Sequence, residues 1–209
     1  MPMTNMRHTW LVRLPLVLGI WACGWWLAPT VGVTSLGTWL LPHDTAGGIV
    51  VGAVACGLLL AVLLITQRPL NQGFLRRHWS MYLLIPAVLL LSIVPLRVGG
   101  LFATIGEIPA WAYVLMTTVH VFMQQYLTFG LLQSWLQRWF PPFLAVVGTG
   151  TLFYVIHAIL MPYKFAPVHW TAALAILAMG VTCAALRYKM STIYFTLALH
   201  LFFYAAVLA

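Results

Sequence analysis

The chain predicts an all-α fold: a polytopic membrane bundle of about seven transmembrane helices, with its N-terminus in the cytoplasm. Three observations carry this. The 209 residues are 63% hydrophobic and 6% charged, with a mean hydropathy of +1.00, so too little polar surface exists to cover a water-soluble globule. The apolar residues fall in long continuous runs, each near the ~20 residues a bilayer core requires, where a β-barrel would show alternation. The basic residues concentrate on one side of the runs so defined.

The segments are 10–29, 46–66, 79–96, 110–136, 142–161, 168–187 and 190–209. Within the first, the apolar stretch from Leu14 to Ala28 follows Arg7 and Arg13 as in a signal peptide. Trp21, Trp25, Trp26 and the lack of a small-x-small cleavage pattern argue that it is retained as the first membrane helix. Pro42, Pro69, Pro109, Pro141, Pro142, Pro162 and Pro167 punctuate the connections, where helices break. Pro86 and Pro95 fall within the third segment and kink or end it. Trp10, Trp39, Trp79, Trp111, Trp135, Trp139 and Trp170 lie near segment ends, as in an interfacial aromatic belt.

With seven spans, one side carries Arg7, Arg13, Arg68, Arg76, Arg77, Arg138, Arg187 and Lys189, and the other only Arg97 and Lys164. That asymmetry places the N-terminus in the cytoplasm and the C-terminus outside it. The net charge of +8 is therefore an orientation signal, and no basic cluster is large enough to track nucleic acid. The lipid bilayer is the expected partner. By length the chain is one transmembrane domain, 1–209. Cys23, Cys56 and Cys183 all lie inside apolar runs, with neither disulfide nor C-x-x-C spacing.

The fourth segment holds the polar residues that hydrocarbon rejects: His120, Gln124 and Gln125. His120 and Gln124 are four apart and share one helix face. His157 lies in the fifth segment and His200 in the seventh. At 1.5 Å per residue, their distances from the cytoplasmic ends are roughly 24 Å for His120, 18 Å for Gln124, 22 Å for His157 and 15 Å for His200. These depths overlap in the middle and outer half of the membrane, which allows a shared polar pocket. They equally allow hydrogen-bonded packing between helices.

The order of these residues resembles the CPBP family, the CaaX-prenyl-protease and bacteriocin-processing membrane proteins, over about 110–209. Phe153-Tyr-Val-Ile-His157 reproduces the family's F-x-x-x-H motif. Gly180, the basic turn Arg187-Tyr-Lys189 and Ser191-Thr192 follow, and His200 stands where H-x-x-x-N begins. The first motif, E-E-x-x-x-R-G, aligns with Gln124-Gln125-Tyr-Leu-Thr-Phe129-Gly130. The resemblance implies an intramembrane endopeptidase in which paired glutamates activate water, while the histidines and an asparagine assist and bind the oxyanion. It also implies a multi-pass location in a bacterial-type inner (plasma) membrane.

The departures fall on the catalytic positions. Gln124 and Gln125 replace both glutamates, Phe129 the arginine and Tyr204 the asparagine. An amide has no titratable proton and cannot act as a general base at neutral pH, which forfeits ~10²–10⁴-fold in rate. The chain's two carboxylates, Asp44 and Glu107, both lie in connections. The leading expectation is a pseudoprotease that keeps a polar cavity and binds a membrane peptide segment or a partner protein, without a cofactor. A second reading retains hydrolysis through His157 and His200 with Gln124 as an oxyanion donor. A third makes His120, His157 and His200 ligands of a metal or haem, although no carboxylate is at hand to orient the rings.

Overall fold

A computed structural model of the chain describes residues 9–28, 35–75, 104–105 and 108–207. The expected third span at 79–96, the Arg76-Arg77 connection and Glu107 lie outside the described residues. The fold is all-α. Helices α1 (Thr9–Leu27), α2 (Leu36–Leu40), α3 (Thr45–Thr66) and α4 (Arg68–Phe74) come first. Strands β1 (Thr104–Ile105) and β2 (Ile108–Pro109) then form one short antiparallel pair. Next come α5 (Ala110–Gln124), a π-helical segment (Gln125–Leu132) and α6 (Gln133–Trp139) in unbroken succession. The chain ends in α7 (Pro142–Leu160), α8 (Pro162–Phe165), a 3₁₀ turn (Pro167–His169), α9 (Trp170–Met190) and α10 (Tyr194–Val207).

The boundaries have local causes. Asp44 caps α3, its carboxylate accepting the Gly47 N–H at 2.8 Å. Pro142 opens α7 at a position whose N–H needs no helical partner. Helix α9 stops at Ser191, which takes a left-handed φ of 55°. Among the described residues, Thr45–Thr66, Pro142–Leu160 and Pro162–Met190 are helical runs long and apolar enough to cross a membrane.

The helix from Ala110 to Trp139 forms the centre. Every residue from 123 to 133 is buried, as in a helix surrounded by others on all sides. On α1, Val17, Trp21, Trp25 and Ala28 form a buried stripe at helical spacing and meet this centre. Helices α7 and α9 approach closely through glycine. A Cβ on Gly150 would lie 2.7 Å from the backbone of Val181, and one on Gly180 would lie 2.8 Å from the Gly150 carbonyl oxygen. Small residues at a membrane helix crossing let backbones pack in van der Waals contact where apolar burial drives nothing.

The fourth span departs from its expected form. A plain α-helix is expected through Gln124 and Gln125, but the helix widens to π geometry from Gln125 onward. A π turn carries more residues per turn, so it rotates every later side chain relative to an α continuation. Gly130 sits in this widened stretch beneath the Phe74 ring, whose Cε2 and Cζ would lie 2.7 Å from an added Cβ.

Candidate functional site

The polar residues of the central helix point to two different partners. Gln124 Nε2 pairs with His120 Nε2 one turn earlier on the same helix, which the four-residue spacing anticipates. Gln125 is turned away by the next residue step and crosses to α10, where its Nε2 lies 2.8 Å from Nδ1 of His200. All four side chains are buried. Among the described residues the Oε1 atoms of Gln124 and Gln125 have no hydrogen-bond partner.

His157 is held within its own helix. Its Nδ1 lies 2.7 Å from the carbonyl oxygen of Phe153, the residue four positions earlier that opens the F-x-x-x-H motif. A carbonyl only accepts, so Nδ1 carries the proton and donates it. Nε2 is then the unprotonated nitrogen, able to accept.

Phe153 forms the hub between these groups. Its ring centroid lies 4.4 Å from that of His157, 6.0 Å from His200, 5.2 Å from Phe129 and 5.8 Å from Trp25. Phe129, at the position where the family pattern has arginine, is fully buried and spends its ring on this contact. Tyr204 lies on α10, one turn beyond His200, and its side chain lies outside the described residues.

Sequence reasoning missed the contribution of α1. The Trp25 ring stands edge-on to His157 at 4.9 Å and to His120 at 6.2 Å. The indole N–H groups of Trp21 and Trp25 both donate to the Thr128 hydroxyl, at 2.9 and 3.3 Å. The only sequence signal was the four-residue spacing of the two tryptophans, which places them on one face and says nothing about what that face meets.

A cavity of about 300 Å³ opens beside this cluster. Tyr113, Met161, Phe165, Ile176 and Met179 wall it, and His157, His200 and Lys164 supply polar groups. His157 and His200 therefore share a pocket, as their depths allowed. Gln124 was expected to share it and does not line it, because its amide is turned back along the helix to His120. Lys164 and Tyr113 were not singled out from the sequence. Lys164 entered only as one of two basic residues on its side of the membrane.

The arrangement limits the chemistry. No carboxylate stands among these residues to activate water, and an amide cannot take that role. Nor do His120, His157 and His200 converge as metal ligands. Among the described residues no group of three or more His, Cys, Asp or Glu side chains is placed to hold a metal ion. The rings of Trp25 and Phe153 stand among the imidazoles, and one nitrogen of each histidine faces an amide or a carbonyl.

Residues 106–206 match the family model of the Rce1-like proteins, described as type II CAAX prenyl endopeptidase. The match spans just under half of the chain and covers all three motif positions. It bears out the CPBP-family resemblance, and together with the apolar helices it marks an integral membrane protein. Comparison with curated proteins and with solved structures gave no match.

Proposed function

We propose, for a chain whose residues 106–206 carry the Rce1-like pattern, that it is a multi-pass CPBP-like protein without peptidase chemistry. It keeps the polar cavity at His157 and His200, and it binds a membrane peptide segment or a partner protein. We place it as a single transmembrane domain, 1–209, of seven spans in a bacterial-type inner membrane, with the N-terminus in the cytoplasm. The observation that carries the reading is the fate of the first-motif pair. The amides of Gln124 and Gln125 are each engaged by an imidazole, His120 and His200, where the family pattern calls for water-activating carboxylates. Phe129, packed on Phe153, removes the cation that would stabilise such carboxylates.

The rival with most support is a divergent hydrolase in which His157 is the base. Its Nε2 accepts, and His157 lines the cavity. One experiment separates the two. The purified protein, reconstituted in proteoliposomes, is incubated with quenched fluorescent peptides ending in a prenylated CaaX sequence, beside His157→Ala and His200→Ala. The expected result is no turnover by any of the three. Turnover by the unmodified protein that either substitution abolishes would overturn the pseudoprotease reading.

A further inference from the structure

The cavity beside the cluster makes demands that a plain hydrocarbon segment does not meet. Its walls are apolar, from Met161, Phe165, Ile176 and Met179. Two polar residues among its lining have opposite requirements. His157 is only 4% exposed, and its Nδ1 proton is committed to the Phe153 carbonyl, so the nitrogen left over can only accept. Among the described residues, Nε2 of His157 meets no hydrogen-bond partner. Lys164, on the short α8 that follows, is exposed and can only donate. Its ammonium lies 5.4 Å from the Phe165 ring centroid, beside the apolar wall.

An acceptor among apolar walls favours a ligand that brings a donor to it, and an exposed cation at the edge of the cavity favours an anion beside it. A volume of about 300 Å³ lies at the small end of ligand pockets. It holds a short chain and not a helix.

We propose that this cavity binds a small anionic amphiphile: an acidic group at Lys164, a hydroxyl or amide N–H donating to Nε2 of His157, and a short apolar chain along Met161, Phe165, Ile176 and Met179. The proposal rests on reading the His157–His200 cavity as a binding site, and it names what enters there. A hydroxy fatty acid and an N-acyl amino acid both supply this set of groups.

The test uses the full-length protein in phosphatidylcholine nanodiscs. Four probes are titrated: 3-hydroxydecanoate, N-octanoylglycine, decanoate without the donor, and 1,3-decanediol without the anion. Binding is followed by calorimetry and by the ring ¹⁵N signals of His157. Saturable binding of 3-hydroxydecanoate or N-octanoylglycine is expected, with the tighter of the two identifying the donor. Decanoate and the diol should bind about tenfold more weakly, the scale of one hydrogen bond or ion pair of this kind. Lys164→Gln should remove the preference for the acid over the diol, and His157→Phe the preference over decanoate. Because Lys164 is exposed, its substitution keeps the test valid if the His157 variant fails to fold.

Equal binding of all four probes, no saturable binding, or preferences unchanged in Lys164→Gln would overturn the proposal. Those results would leave the absence of peptidase activity standing. Conversely, turnover in the peptidase assay would overturn the pseudoprotease reading without touching the binding result.

Discussion

The Gln125 amide nitrogen lies 2.8 Å from Nδ1 of His200, across 75 residues of chain. The bond joins the central helix to α10 and sets the orientation of the His200 ring. It also commits the second residue of the Gln124–Gln125 pair to a structural partner. Gln124 is committed likewise, to His120. What stands at the first-motif positions is thus a pair of buried amides, each facing a buried imidazole.

Restoring the family residues tests whether these replacements silence the chemistry. The double variant Gln124→Glu, Gln125→Glu buries two carboxylates beside the His120 and His200 imidazoles and without the family's arginine, a cost of several kcal/mol that pairing or neutralisation only partly relieves. It should unfold at lower temperature than the native protein and show no peptidase activity. Adding Phe129→Arg supplies a cation four residues after Gln125, and Tyr204→Asn completes the third motif. Cleavage of a prenylated peptide is expected, if at all, only in the fourfold variant. Activity in the double variant alone would show that the arginine and asparagine positions are dispensable.

Thr128 is the shared acceptor for two buried indole N–H groups. Thr128→Val keeps the shape of the side chain and removes the oxygen, leaving both donors unsatisfied. A loss of about 1–3 kcal/mol per orphaned donor is expected, with a shift in tryptophan emission. Thr128→Ser should retain most of the stability in the same denaturation series. Equal effects of the two substitutions would mean that the hydroxyl carries no weight.

The α7–α9 crossing gives a paired comparison within one helix. An alanine Cβ at Gly150 would press against the Val181 backbone N and Cα at 2.7 Å, which cannot yield without separating the helices. Gly150→Ala should therefore cost about 1–3 kcal/mol, as overpacking does. Gly148, two residues earlier, has nothing within 4 Å of such a Cβ. Gly148→Ala should be neutral or stabilising by up to ~1 kcal/mol, from helix propensity. Thermal unfolding in detergent, read side by side, decides the matter.

Topology is tested by reporter fusions. Insertions at Arg76-Arg77 and in the Arg187–Lys189 turn are expected to report cytoplasmic, and a fusion after Ala209 non-cytoplasmic. A cytoplasmic C-terminus would remove the seven-span count and the depth estimates built on it.

The sequence by itself determined the solvent and the elements. Apolar runs bounded by proline gave α3, α7 and α9 close to their observed limits, because a helix long enough to span a bilayer must be written in consecutive residues. The His120–Gln124 pair was equally readable, since a four-residue spacing is a property of one helix alone. F-x-x-x-H likewise brings the Phe153 carbonyl within reach of His157.

Only the tertiary structure decided which groups meet across helices. Sequence could not tell that Gln125 and not Gln124 reaches His200, because the answer depends on how the central helix is rotated against α10. The π-helical segment that begins at Gln125 likewise rotates the side chains after it without leaving a periodic mark. Nor could it place Trp25 against His157 and His120, since α1 lies far from both in the chain. The cavity walled by Met161, Phe165, Ile176 and Met179 exists only where α5, α7, α8, α9 and α10 leave space among them. Periodicity reports the faces of a single helix, whereas a site between helices depends on their relative rotation and separation, which close packing sets.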